Sequence, residues 1–261
     1  MPSYFKQLTG DRLHYSLKGD PSRPTLVLSN SLGTDLRMWE PQMDLLAAKY
    51  QVVSYDTRGH GQSSVPPGPY SLEQLGSDVI SLMDDLEIER FSFCGLSMGG
   101  LTGMWLALAH GDRMDKLILS NTSAYIGPPE NWDTRVQTVL QDGMESIADK
   151  VLAIWLTTQC INAEPALASR MRKMLVATPA KGYAANCLAI RDSDLRLKVG
   201  EIKVPTLVIS GTADMATPPA DGRFLAEKID DSRYVQLEAA HLSNLERPKD
   251  FNNAVMEFLA C

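Results

Sequence analysis

Cysteine and histidine are scarce in this chain, four of each among 261 residues, and no stretch concentrates Lys or Arg. Cys94, Cys160, Cys187 and Cys261 are scattered without CxxC spacing, and a chain of this length does not need disulfides to hold a core. A reduced cytoplasm is therefore the expected compartment. No run of about 18 apolar residues occurs, and the stretch from Met1 to Lys6 lacks a charged leader followed by an apolar segment, which disfavours membrane spanning and secretion. Lys and Arg number 25 against 32 Asp and Glu, a net charge of -7, which argues against a nucleic-acid partner. The same acidic field would repel an anionic substrate, so such a substrate would require a local cation in its pocket.

What is present is a hydrophobic fraction of 44%, enough to bury one sizeable α/β domain. Tyr4 to Thr9 and Arg12 to Lys18 flank a Gly10-Asp11 turn and read as an antiparallel edge hairpin. Short apolar runs follow at Thr25–Leu28, Gln51–Tyr55, Phe91–Cys94, Lys116–Leu119 and Pro205–Ile209. They lack alternation and so predict strands buried on both faces, as in a parallel sheet. Between them lie helical periods. The clearest runs from Ser71 to Leu86, with Leu72, Leu75, Val79, Leu82, Met83 and Leu86 on one face behind a Ser71/Gln74 capping box. The alternation predicts a doubly wound sheet whose ligand site lies at the carboxyl ends of its strands. From Ser123 to about Val204 the strand rhythm stops. Ile147, Val151, Ile154 and Trp155, then Leu167, Met171, Met174 and Leu175, mark two amphipathic helices, with Pro128-Pro129 and Pro179 as punctuation. The expected organisation is a core of residues 1–122 and 204–261 with a helical cap over 123–203.

The chemistry concentrates at Gly95-Leu96-Ser97-Met98-Gly99, between the run ending at Cys94 and the helix-compatible Leu101 to His110. This is the strand, sharp turn and helix context of a nucleophile elbow, where small neighbours let the chain pass closely around an exposed serine. A serine hydroxyl needs a base. His241, in the loop after the strand-like Arg233–Leu237, follows in chain order, with Asp214 after Leu207–Ile209 as the carboxylate that would orient it. Asp192 and Asp194 compete less well because neither follows a strand. His14, His60 and His110 read as packing or surface residues. A tetrahedral oxyanion needs preorganised donors, expected from the backbone amides of Met98 and of Leu32, or its neighbour Ser31, in Ser29-Asn30-Ser31-Leu32-Gly33.

These residues place the chain by resemblance in the α/β-hydrolase superfamily, and more narrowly it is similar to the 3-oxoadipate enol-lactonases. The likeness rests on Ser29 to Asp35, Cys94 to Gly100, Thr212-Ala213-Asp214 with Thr217-Pro218-Pro219, Ala239 to Asn244, and Gly182 to Cys187 with Ile190-Arg191-Asp192. It implies a mostly parallel eight-stranded sheet with helices on both faces and a helical cap insertion. It also implies hydrolysis of a small acidic lactone in aromatic-compound catabolism, through a Ser97, His241, Asp214 triad and an acyl-enzyme, without cofactor or metal. The usual His-Gly of the superfamily is missing from the oxyanion loop, which leaves open what braces it. For the substrate carboxylate Arg135 is the candidate cation, with Trp132 and Trp155 as apolar walls; a solvated helix position is the other reading of Arg135. A general carboxylesterase, a hydrolase of carbon–carbon bonds in ring-fission products, or a ligand receptor on the same fold are the alternatives. No coiled-coil pattern decides the oligomeric state, and a homo-oligomer stays open.

Overall fold

The computed structural model describes residues 3–7 and 11–260. Among them, eight strands form one sheet in the order β1-β2-β4-β3-β5-β6-β7-β8. The first two are β1 (Tyr4–Gln7) and β2 (Arg12–Lys18), paired antiparallel as the hairpin pattern predicts; the Gly10 half of the expected turn lies outside the described residues. The strand β2 also runs antiparallel to β4 (Gln51–Tyr55). From there on the sheet is parallel, through β3 (Thr25–Ser29), β5 (Phe91–Leu96), β6 (Met114–Ser120), β7 (Thr206–Gly211) and β8 (Ser232–Leu237). Its central strands are buried along their whole length, which is why Leu26-Val27-Leu28 and Phe91 to Cys94 show no alternation.

Helices cover the sheet in two groups. In one, α1 (Glu40–Ala47) packs on the C-terminal helix (Pro248–Ala260), and Trp39 meets Phe251 there. In the other, α2 (Leu72–Asp85) packs on α3 (Met98–Ala109), while α9 (Pro219–Lys228) lies along β7 and β8. Both bonds of the Ser71/Gln74 capping box are present, at 3.0 and 3.2 Å. The buried face of α2 is the expected one, with Leu86 only partly buried just beyond its end.

Between β6 and β7 the chain leaves the sheet and forms five helices, more than the two stripes legible in the sequence: α4 (Pro129–Asp142), α5 (Ala148–Trp155), α6 (Thr158–Ala163), α7 (Pro165–Ala177) and α8 (Ala180–Arg191). Pro129 and Pro165 occupy first turns, where a missing N–H costs nothing. The helices pack in pairs, α4 on α8 and α5 and α6 on α7. The helix α8 also presses onto the turn after β4: a Cβ at Gly182 would lie 2.2 Å from the carbonyl oxygen of Gly59. Backbone meets backbone there, and neither side can yield by rotating a side chain. Gly182→Ala is therefore expected to destabilise the protein by about 1–3 kcal/mol. Thermal unfolding checks this, and a melting temperature equal to wild type would contradict it.

Candidate active site

Ser97 joins β5 to α3 in a conformation that a non-glycine residue rarely adopts, φ 58° and ψ -113°. Such strain, on the order of 1–3 kcal/mol, persists only where the surroundings over-determine it. They do so here. A Cβ at Gly95 would lie 2.1 Å from the carbonyl oxygen of Gly99, and one at Gly99 would lie 2.4 Å from that of Ser29. Ser97 N–H donates to the Ser120 carbonyl at 2.9 Å, and Thr122 Oγ1 donates to the Ser97 carbonyl at 2.8 Å. The serine thus stands at the N-terminus of α3, where unpaired amides and the helix dipole favour developing negative charge.

His241 follows β8 and is 3% exposed; its Nδ1 lies 2.9 and 3.1 Å from the two carboxylate oxygens of Asp214, which follows β7. Asp214 accepts from the amides of Ala216 and Thr217 at 2.9 and 3.0 Å, from Thr217 Oγ1 at 2.8 Å and from Asn121 Nδ2 at 3.0 Å. Burial alone would raise its pKa, but the charge and hydrogen bond of His241, with the Thr217 and Asn121 donors, outweigh burial and bring it down to about 2. A carboxylate so surrounded by donors can only accept. The imidazole proton accordingly belongs on Nδ1, which leaves Nε2 bare. Asp192 and Asp194 are engaged elsewhere, by Arg191 and Arg196.

Ser97 and His241 line one cavity of about 590 Å³, together with Ser31 and Leu32. Among the described residues the amides of Leu32 and Met98 have no acceptor, so both are free to receive an anion. The loop that carries Leu32 is tightly held. Asn30 donates through Nδ2 to the Tyr55 carbonyl at 2.7 Å and accepts from Trp39 Nε1 at 2.9 Å, while its own carbonyl receives Gly99 N–H at 3.1 Å. Gly33 N–H donates to His60 Nε2 at 2.8 Å. The brace missing from the sequence is therefore supplied partly by His60, a residue that reads as packing in its turn.

The three residues expected from the cap helices all reach this cavity. Trp132 and Trp155 are buried in its wall, and Arg135 stacks its guanidinium 5.0 Å from the centroid of the Trp132 ring. The other arginines of these helices pair with carboxylates: Arg170 with Glu40, Arg172 with Glu145 and Asp149, Arg191 with Asp133 and Asp192. Arg135 pairs with none among the described residues; it is only partly exposed and lines the cavity. Sequence reasoning missed Tyr183 and Lys150 in the lining, and Asn121 behind Asp214. Asn121 adopts φ 45°, tolerable for Asn, directly after β6; that position was the only local signal. No group of three or more His, Cys, Asp or Glu among the described residues could hold a metal ion.

The α/β-hydrolase fold model matches residues 24–248. The chain belongs to the α/β-hydrolase fold family. This hydrolase is 45% identical over 243 residues to 3-oxoadipate enol-lactonase 2 of Acinetobacter baylyi, covering 93% of its own chain and 91% of the relative. It superposes on the crystal structure of the enol-lactonase from Burkholderia xenovorans LB400 with a TM-score of 0.97 at 49% identity, over 99% and 100% of the two chains. A thermophilic esterase from Thermogutta terrifontis, solved with malate bound, matches at 27% identity and a TM-score of 0.93 over 100% and 98%.

The lowered pKa of Asp214 carries a sign for stability. A carboxyl depressed on folding contributes stability that is complete above the unfolded value near 4 and is lost as pH falls through about 2. The full contribution is roughly 2 kcal/mol. The stability gap between the wild-type hydrolase and Asp214→Asn, read by urea unfolding, is expected to narrow from pH 5 to pH 3. A gap independent of pH would contradict the assignment.

Proposed function

We propose that this protein hydrolyses 3-oxoadipate enol-lactone to 3-oxoadipate, in the breakdown of aromatic compounds, through an acyl-enzyme on Ser97. The observation that carries the reading is one cavity lined by Ser97, by His241 with Asp214 bonded behind it, and by Arg135, which pairs with no carboxylate among the described residues. The names of the relatives at 45% and 49% identity supply the lactone.

In this reading His241 Nε2 takes the Ser97 proton as Oγ attacks the lactone carbonyl, and Asp214 steadies the imidazolium that forms. The amides of Leu32 and Met98 receive the tetrahedral oxyanion, each donor accounting for about 10²–10³ in rate. Collapse breaks the ring C–O bond, and His241 returns its proton to the departing enol oxygen. An enol so released becomes a ketone, which removes the nucleophile that could close the ring again. Water, deprotonated by His241, then attacks the acyl-enzyme and frees the second carboxylate.

Helices α4 to α8 serve as the cap, over 123–203, with residues 1–122 and 204–261 as the catalytic core. Trp132 and Trp155 wall the ring, and Arg135 binds the carboxylate, offsetting the net charge of -7 that would otherwise repel an acidic lactone. Three free cysteines, Cys94, Cys160 and Cys187, are buried, which suits a reduced compartment such as the cytoplasm. No helix among the described residues is long and apolar enough to cross a membrane.

Loss of the lactone's ultraviolet absorbance tests the reading. Ser97→Ala is expected to lower kcat by more than about 10⁴-fold. Arg135→Ala is expected to lower kcat/KM for the acidic lactone by about 10–100-fold and to leave a neutral nitrophenyl ester unaffected. Equal loss on both substrates would remove Arg135 as a carboxylate ligand, and wild-type preference for the neutral ester would favour a general carboxylesterase.

A further inference from the structure

The turn from Asp56 to Ser63 lies behind the oxyanion loop, and its imidazole is fully enclosed: His60 is 0% exposed. The 2.8 Å bond from Gly33 N–H to His60 Nε2 fixes the chemistry of the ring, because a backbone amide can only donate. Nε2 is therefore the bare nitrogen. The ring proton sits on Nδ1, which lies 3.5 Å from the Arg58 carbonyl oxygen and 3.4 Å from Asn186 Nδ2. Asn186, on α8, donates to the Arg58 and Gly182 carbonyls at 2.8 and 2.9 Å and so ties the turn to the cap helices. Burial pushes the imidazole down to about 4, against the raising influence of the Arg58 carbonyl and of the Asp56 and Asp35 carboxylates, so the ring is neutral at pH 7.

Peptide planarity carries this bond to the oxyanion loop. The N–H of Leu32 shares a plane with the Ser31 carbonyl and points opposite to it. That carbonyl is held by Thr34, whose amide and Oγ1 donate to it at 3.1 and 2.7 Å. The next plane, Leu32–Gly33, is held from its N–H by His60. Gly33 itself is at φ +80°, a region in which glycine is otherwise free to move. Two consecutive peptide planes around Leu32 are thus pinned by one bond set each.

We infer that His60 is a positioning residue for the oxyanion hole, its bare Nε2 holding the Leu32–Gly33 peptide so that the Leu32 amide stays directed at the reacting carbonyl. The inference rests on the proposed roles of Ser97, Leu32 and Met98.

A boronic acid inhibitor, which adds to a serine hydroxyl as a tetrahedral adduct, separates the hole from the rest of the pocket when measured beside the product 3-oxoadipate. His60→Leu is expected to lower kcat and boronic acid affinity by a similar factor, roughly 10–100-fold, with KM and product affinity little changed. His60→Gln, which can place an amide oxygen near the Nε2 position, is expected to recover most of both. Unchanged kcat in His60→Leu, or equal loss of boronic acid and product binding, would overturn the inference. Should His60→Leu not fold, nitrogen NMR of the wild-type imidazoles decides: a protonated Nδ1 and bare Nε2 on His60 at pH 7 are expected, and an Nε2–H ring would refute it. Failure of wild type to bind the boronic acid, or activity in Ser97→Ala, would instead overturn the reading of Ser97 beneath it.

Discussion

The strained elbow at Ser97 is the constraint around which the site is arranged. A serine at φ 58° needs a strand and a helix in backbone contact on either side of it, and Gly95 and Gly99 permit that contact where any Cβ would collide. The neighbouring strands complete the hold, β6 and the residues after it through Ser120 and Thr122, and β3 through the close approach of Ser29 to Gly99. Because the strain is distributed over rigid backbone, the serine is fixed relative to the carboxyl edge of the sheet, where Asp214 and His241 also emerge from β7 and β8. The loop that carries Leu32 is fastened to the same edge through Gly99 N–H and the Asn30 carbonyl.

Around the elbow, electrostatics sets the roles. A buried Asp214 kept ionised by surrounding donors can orient His241 without taking its proton. The loop of His241 is in turn tied to the helices inserted between β6 and β7. Leu242 N–H donates to the Trp155 carbonyl at 2.9 Å, and Glu246 accepts Ala240 N–H at 3.0 Å while receiving the Thr157 hydroxyl. Backbone on both sides of the proposed base is therefore anchored to residues next to the cavity wall. In a chain whose acidic groups outnumber its basic ones, Arg135 stacks on Trp132 and pairs with no carboxylate among the described residues, as the proposed binding of an acidic lactone requires.

How much of this can be read without coordinates depends on the range of the interactions. The parallel strands and α2 are legible because burial on both faces and a 3.6-residue period leave local marks, and the elbow because strand, turn and helix are contiguous around Ser97. Asp214 and His241 are legible from position alone, each just past a strand. What escapes is set by contacts between distant segments: Asn121 reaches Asp214 across 93 residues, Glu246 reaches Thr157 across 89, and His60 reaches Gly33 across 27. Nothing near His60 in Asp56 to Ser63 distinguishes an imidazole that packs from one that holds a peptide plane. The five-helix arrangement is likewise only partly visible, since α4 turns polar residues such as Asn131, Thr134 and Arg135 to the cavity and α8 is buried on nearly every face and so shows no stripe.

The measurement that bears most directly on the central claim is covalent labelling by a fluorophosphonate followed by peptide mapping, because three serines, Ser31, Ser97 and Ser146, line the same cavity as His241. A single adduct on Ser97, formed as hydrolytic activity disappears, is the expected result. An adduct on Ser31, or full loss of activity with Ser97 unmodified, would contradict the assignment of the elbow serine as the nucleophile.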